Sequence, residues 1–344
     1  MANWASALNN DPIPWLLEPE NPSVCYWTLL DILGHPADDP KVQAARAAIP
    51  TFPPVAGLLA AQKPDGYWVK RDYYLPKHYG TFWVLSFLAD LGLTAENEHI
   101  RRGCELMFTF QREHGEFCRR RRIPGQGIVW EDRDAPCTHA RIVRFLIRFG
   151  YGDDARTRAA VDWLLATQRD DGMWLCDYGR GRGCLRATLD YLRAAVLDPE
   201  VIAHPATAHA AAVVCDLLME RRMGRYHVGD LWTVLEYPYF GYGVISALDA
   251  LARLGYTLDH PKIALAMEYL LSRQSPNGTW PLDQSPSRPP FDVGQTGEPN
   301  KWLTLDALRV IKLLHQSSPS QSGARGGGGA VQRVDGSSPL PGGS

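Results

Sequence analysis

Four of the seven cysteines, Cys118, Cys137, Cys176 and Cys184, fall in a single stretch of a 344-residue chain. Thiolates gather in this way for zinc, which takes four ligands in a tetrahedron when structural and three plus a water when catalytic. Arg119 to Arg122 follow the first cysteine, and their charge would favour the thiolate that a metal requires. Asp132 and Asp134 stand just ahead of Pro136, a carboxylate pair that can exchange a proton or cap the helix behind it. The cysteine spacing is not that of a zinc finger. Zinc is expected from convergence in space, with His139 or Asp134 as the substitute if a cysteine faces away. Cys25, Cys104 and Cys215 lie within apolar helical faces and read as small buried hydrophobes.

Convergence requires an architecture, and the sequence supplies one as a repeat. Gln62-Lys-Pro-Asp-Gly66-Tyr-Trp68, Gln111-Arg-Glu-His-Gly115-Glu-Phe117, Gln168-Arg-Asp-Asp-Gly172-Met-Trp174 and Gln274-Ser-Pro-Asn-Gly278-Thr-Trp280 share the pattern Gln-x3-Gly-x-aromatic. The steps between them are 49, 57 and 106 residues, the last about twice the others. A degenerate copy, Glu220-Arg-Arg-Met-Gly224-Arg-Tyr226, fills the gap. Between the marks apolar residues recur at helical spacing. One set of helices is mostly uncharged and begins after a long loop: 23–33, 79–91, 137–149, 184–197, 239–254 and 302–315. The other starts at Asp-Pro, Asp-Asp or His-Pro signals and ends at a mark, the first copy being interrupted by Thr51-Phe-Pro-Pro54. Six of one kind alternating with returns of the other predict an all-α double ring with the uncharged set inside. Strand signals are weak. In the marks, the Gln is expected to tie a helix end to the next loop, the Gly to supply a positive-φ turn, and the aromatic to fill the gap between hairpins.

Composition sets the outer limits. With 45% hydrophobic residues and a net charge of −2, the chain can bury a full-sized core, and nothing points to a nucleic-acid partner. The sequence divides into an N-terminal extension (1–22), a toroid (23–315) and a Gly/Ser/Pro-rich tail (316–344) expected to be disordered. No stretch reads as a transmembrane segment, so a cytoplasmic address is expected, with peripheral membrane contact left open.

Marks of this kind in an alternating helical barrel resemble those of the squalene-hopene cyclase, terpene cyclase and protein prenyltransferase superfamily, the (α/α)6 toroid. The resemblance covers roughly residues 23–315 and implies an enzyme of isoprenoid cyclase or transferase type. In hopene-type cyclases a D-x-D-D motif at the start of an inner helix protonates the substrate; here Asp132-Arg133-Asp134 keeps D-x-D and lacks the last Asp. In protein prenyltransferases an Asp, a nearby Cys and a distant His hold zinc at the inner-helix N-termini, near which Asp134, Cys137 and His139 stand. Pro136-Cys137, Gly150-Tyr151-Gly-Asp-Asp154 and Lys301-Trp302-Leu-Thr-Leu-Asp-Ala-Leu-Arg309 also resemble toroid proteins of unassigned activity.

The loops leading into the inner helices carry 14 Lys and Arg against 10 Asp and Glu, whereas the opposite turns carry no Lys or Arg and nine acids. Inner-helix N-termini add partial positive charge to the first end, which favours an anionic head group there; helix caps and a solvated rim are the alternative. Aromatic residues at first turns of inner helices, Tyr26, Trp27, Tyr79, Trp83, Tyr237, Tyr239, Phe240, Tyr242 and Trp302, suit an isoprenoid-sized pocket, though each singly is as compatible with core packing. Tyr79, Trp83, Arg120, Tyr239, Tyr242, Lys301 and Trp302 are the expected substrate contacts, and Asp132 and Asp134 the expected catalytic acids. Three functions stay open: a cyclase with one of these acids facing an aromatic cavity, a zinc enzyme, and a non-catalytic toroid stapled by zinc around a ligand groove.

Overall fold

The helical periodicity resolves into two concentric sets of helices. A computed structural model describes residues 4–130, 136–175, 183–220, 230–238, 243–285 and 291–317. The chain opens with α1 (Ile13–Leu16) and enters the ring at α2 (Pro22–Trp27), which continues as a π-helical turn over Thr28–Ile32. The first outer helix is broken, as Thr51 to Pro54 predict, into α3 (Pro40–Ala48) and α4 (Pro53–Ala60). Then come α5 (Thr81–Asp90), α6 (Glu98–Phe108), α7 (Pro136–Leu146), α8 (Ala155–Ala166), α9 (Leu185–Ala195), α10 (Pro199–Ile202), α11 (Pro205–Leu217), α12 (Val244–Arg253), α13 (Pro261–Ser272) and α14 (Lys301–Ser317). Helices α5, α7, α9, α12 and α14 pack in that order and α14 returns to α2. Trp27 closes the circle by donating its Nε1–H to the Asp90 carbonyl at 3.0 Å. The fold is an all-α (α/α)6 toroid. Among the described residues its strands form two short antiparallel pairs in the loops, β1 (Arg120–Ile123) with β2 (Gly127–Trp130) and β3 (Trp174–Leu175) with β4 (Gly183–Cys184).

The repeat marks hold neighbouring hairpins together by one recurring geometry. The side-chain amides of Gln62, Gln111 and Gln168 each donate to the carbonyl of their own glycine and to a carbonyl in the first turn of the next outer helix, those of His99, Arg156 and Ala206. Trp68, Trp174 and Trp280 each donate Nε1–H to the leucine carbonyl ten residues back, on Leu58, Leu164 and Leu270. Each of these tryptophans thus gives a partner to a carbonyl in the last turn of its own outer helix and buries an indole, and the Gln111 mark buries Phe117 instead. In the degenerate fifth copy Glu220 accepts from Nζ of Lys262, again in the first turn of the next outer helix, at 2.9 Å. The glycine is required twice over: Gly115 has φ +101°, and a Cβ there would sit 2.0 Å from the Ala159 carbonyl of α8.

At the last mark the partner comes from the N-terminus. Asn9 N–H donates to the Gln274 side chain at 2.8 Å, and a Cβ on Gly278 would meet the Asn10 carbonyl at 2.1 Å. Residues assigned to an N-terminal extension therefore take the place a sixth outer helix would hold. Lys301 adds to the seam, pairing with Glu18 at 2.6 Å and lying over the Trp15 ring.

At the turns where inner helices end, the acidic residues cap the outer helices: Asp39, Asp154 and Asp198 each accept backbone N–H groups from the first turn that follows. The acidic pole is to this extent a set of helix caps. The expected disordered tail lies outside the described residues from 318 onward.

A charged cavity on the ring axis

The inner helices enclose a cavity of about 260 Å³. Its walls come from α2, α5, α7, α9, α12 and α14 and from the loop residue Tyr237. The cavity runs obliquely, from the first turns of α12 and α14 (Ile245, Ser246, Trp302) to the last turns of α5, α7 and α9. The helix ends it reaches are opposite to the loops where an anionic head was expected from the sequence.

One charged residue from every inner helix reaches this space at a common depth. Asp31, Asp90, Arg144, Arg193, Arg253 and Arg309 each stand eight or nine residues after the first residue of their helix. Arg148, Asp249 and Asp306 add to the same walls. Arg144 and Arg148 share Asp90 at 2.8 and 3.3 Å; Arg309 bridges Asp31 and Asp306 at 2.5 and 2.6 Å; Arg253 pairs with Asp249 at 3.0 Å. Just behind the wall, Arg141 Nε donates to both oxygens of Asp190 at 2.9 Å, and Arg193 lies 3.8 Å from the same carboxylate. Burial pushes the Asp90 carboxyl up, but Arg144, Arg148 and Arg193 together outweigh it and hold the group at about 2. Burial and the facing Arg144 pull Arg148 down to about 9 and Arg193 down to about 10. Asp90, Arg148 and Arg193 are therefore charged at neutral pH.

Three aromatic rings complete the wall. Tyr237 and Trp302 stack at 5.3 Å with planes 3° apart. Trp27 lies under two guanidinium groups, those of Arg148 and Arg309, at 5.8 and 5.2 Å. Burial, with Asp90 and Asp306 nearby, raises the Tyr237 hydroxyl well above its ordinary value, so it stays a neutral donor.

Of the expected substrate contacts, Trp302 lines the cavity; Trp27 and Tyr237, from the wider aromatic set, join it. Trp83 is buried with its Nε1–H on the Tyr74 carbonyl at 2.9 Å. Tyr79 is half-buried in the loop before α5. Arg120 lies over the Phe110 and Trp130 rings, and its neighbour Arg119 is neutralised by Asp72 at 2.6 Å. Tyr239, Tyr242, Asp132, Asp134 and Cys176 lie outside the described residues.

The other three cysteines of the zinc expectation are placed. Cys118 is buried, Cys137 is the second residue of α7 and Cys184 directly precedes α9. Cys118 and Cys137 both act on the Tyr73 hydroxyl, which burial and these neighbours raise strongly. Among the described residues no three His, Cys, Asp or Glu side chains stand as a metal's ligands would, Cys118, Cys137 and Cys184 included. His139 does not serve as the substitute ligand. Its Nδ1 accepts from the Phe117 N–H at 3.1 Å, its Nε2 faces the Ala160 carbonyl at 3.0 Å, and burial drops it to about 3. It is a neutral pin between the α6–α7 loop and α8. Cys104 and Cys215 are buried, as their apolar setting predicts, and Cys25 is half-buried.

The charged belt was not foreseen. Its signal is in the sequence: each inner helix carries an Asp or Arg eight or nine residues after its first residue. Only alignment of the six inner helices by their starts makes that depth visible.

Residues 27–193 match the family model of the squalene-hopene cyclase C-terminal domain. No curated protein matches the chain. Among solved structures, a protein from Actinoplanes is similar over 87% of this chain and 89% of its own, at 17% identity and a TM-score of 0.45. A type II terpene cyclase from Scytonema, in complex with its product merosterolic acid A, is similar over 79% of this chain and 97% of its own, at 16% identity and a TM-score of 0.30. The same cyclase in complex with its substrate geranylgeranyl dihydroxybenzoate gives 15% identity, the same coverage and a TM-score of 0.29. Among the described residues no helix is long and apolar enough to cross a membrane.

Proposed function

We propose that this terpene-cyclase-like toroid takes an isoprenoid, or a lipid of similar shape, into the ring and acts on it there, in the cytoplasm. The observation that carries the reading is the axial cavity with Trp27, Tyr237 and Trp302 in its wall, inside a ring whose repeat marks and residues 27–193 resemble squalene-hopene cyclases. Aromatic faces can hold an unsaturated chain and a passing cation. Asp90 cannot supply the proton for cyclisation, because Arg144 and Arg148 keep it ionised. That role falls to Asp132 or Asp134, which immediately precede α7 in the chain. From Pro136 to Arg144 the helix rises about 12 Å at 1.5 Å per residue, so acid and arginine belt would work at opposite ends of a bound chain. Tyr79, Trp83, Arg120, Tyr239, Tyr242 and Lys301 are its proposed contacts alongside Trp302. Extracts of purified protein incubated with farnesyl and geranylgeranyl diphosphate and with squalene should contain a cyclised or transferred product by mass spectrometry. Asp132→Asn or Asp134→Asn should remove it; turnover intact in both variants would contradict the assignment.

A second reading is zinc at Cys118, Cys137, Cys176 and Cys184, supported by the shared neighbourhood of Cys118 and Cys137 at Tyr73. The ion would staple adjacent hairpins if its shell is closed, or polarise a ligand if a position is open.

A further inference from the structure

The exposure of the cavity's lining falls steeply along its length. Beside the short turns that follow the inner helices, Asp31 and Arg253 are 34 and 38% exposed, and Leu197, just after α9, is half-exposed. At the first turns of α12 and α14, Ile245 and Trp302 are 3 and 5% exposed, and Tyr237 beside them 3%. The cavity is thus a well that opens among the short turns and narrows to a buried floor on the side of the long loops. Its depth follows from the helices that line it. From Ile245 to Arg253 α12 advances eight residues, about 12 Å at 1.5 Å per residue.

The floor is backed in layers. Tyr237 stacks on Trp302, and its segment is tied to the loop before α14. The Tyr237 N–H donates to the Gln284 carbonyl at 3.3 Å, the Asp283 N–H donates to the Leu235 carbonyl at 2.9 Å, and the Leu235 N–H donates to the Asp283 carboxylate at 2.9 Å. One turn nearer the loops, Phe87 of α5, three residues before Asp90, meets Phe291 edge-on at 5.9 Å. Arg141 and Asp190, three residues before Arg144 and Arg193, form their buried pair at the same level. Residues three apart on a helix share a face, so these two pairs back the floor from the loop side.

We propose that this well takes the tail of a single-chain isoprenoid amphiphile through the short-turn pole, head outward, and that Tyr237 sets the tail length it accepts. A volume of about 260 Å³ is below the roughly 300–1,000 Å³ of pockets that enclose a whole small ligand, so the head stays at the charged rim. Trp27, Val196, Leu197 and Ile245 line the path of the tail. An extended isoprene unit adds four chain carbons, about 5 Å at bonds of about 1.5 Å, so a well about 12 Å deep holds about two units before the tail meets Tyr237. The class of the ligand rests on the isoprenoid reading proposed for this ring; the entrance and the floor rest on geometry alone.

Calorimetric titration of the whole protein with geranyl, farnesyl and geranylgeranyl diphosphate, and with octyl and dodecyl maltoside below their micelle concentrations, reads the length profile. In the wild type, affinity should level off beyond the geranyl chain. Tyr237→Ala should bind farnesyl diphosphate about tenfold or more tighter than the wild type does, since burying two further chain carbons suffices for that factor. Tyr237→Leu keeps a buried apolar side chain of shorter reach; it should shift the profile in the same direction and carries the test if the alanine variant does not fold. Leu197→Trp, which narrows the half-exposed mouth, should slow association of every probe several-fold whatever its length. Affinity that climbs about tenfold per unit through geranylgeranyl in the wild type, or one profile shared by the wild type and both Tyr237 variants, overturns the role of the floor. Association unchanged in Leu197→Trp overturns the entrance. Equal binding of octyl and dodecyl maltoside without binding of any prenyl diphosphate supports the well and overturns the isoprenoid reading; binding of neither series overturns both.

Discussion

Replacing Gly115 by alanine tests the repeat mark against a control that the molecule itself provides. Gly115 and Gly150 have nearly the same backbone, φ +101° and +96°, so alanine carries a similar left-handed penalty at either, about 1–2 kcal/mol. They differ in what a Cβ would meet. At Gly150 nothing lies within 4 Å, whereas at Gly115 the Ala159 carbonyl would be 2.0 Å away and the Ala160 nitrogen 3.1 Å away. The first contact is more than 1 Å inside ordinary van der Waals range, and both atoms are backbone of α8, which must shift as a body. Overpacking of this kind costs about 1–3 kcal/mol beyond the dihedral penalty. Gly150→Ala should therefore lose about 1–2 kcal/mol and Gly115→Ala about 2–5 kcal/mol in urea-induced unfolding followed by far-ultraviolet circular dichroism. Because Gln111 also ties this mark to Arg156 of α8, the larger loss should come with protease sensitivity around α8. Equal losses in the two variants would refute the close-approach argument and leave the glycine needed for its dihedral alone.

The buried Arg141–Asp190 pair predicts strong coupling: Asp190→Ala should destabilise by about 3–5 kcal/mol because it strands a buried guanidinium, while Arg141→Met with Asp190→Leu should regain most of it. Chemical unfolding of the two variants decides, and a double variant no better than the single one goes against the pair. Since the folded-state value of Asp90 lies at about 2, below its ordinary value, its ionised form stabilises the fold above about pH 4, and about 2 kcal/mol is lost as pH falls from there through 2. Asp90→Asn should flatten the acid limb of the stability curve in that window; a limb unchanged in the variant counts against the assignment. For the zinc reading, metal analysis of protein prepared without chelator should find about one equivalent, and Cys137→Ser should release it; less than about half an equivalent argues against the site.

The frame of the molecule was legible because it repeats. Gln168, Gly172 and Trp174 have counterparts at regular intervals, and each does the local work its chemistry suggests: an amide bridging two carbonyls, a left-handed turn, a buried indole on a helix end. The broken first outer helix was legible in Pro53 and Pro54. Ring closure was not, because Asn9 and Asn10 bear no resemblance to the helix whose place they fill; only spatial proximity to Gln274 and Gly278 reveals it. The cavity was misjudged for a different reason. Loop arginines such as Arg119 looked available, yet Asp72, 47 residues earlier in the chain, neutralises Arg119, and no local pattern announces such a partner. Arg144 and Arg193 lie inside helices, outside the loops on which the sequence reading placed the basic end. His139 beside Cys137 suggested a ligand, and its two hydrogen bonds are with residues about 20 positions away in either direction.

The central claim is that an isoprenoid occupies the axial cavity against Trp302 and its stacked partner Tyr237. Thermal unfolding of the wild type and of Trp302→Ala in the presence of farnesyl diphosphate, geranylgeranyl diphosphate and squalene tests it most directly. The account predicts a ligand-dependent rise in Tm for at least one isoprenoid in the wild type, growing with concentration as linkage requires, and its loss in a Trp302→Ala protein that still folds. No rise with any of the three at concentrations near their solubility limits, or a rise that survives Trp302→Ala undiminished, would contradict it.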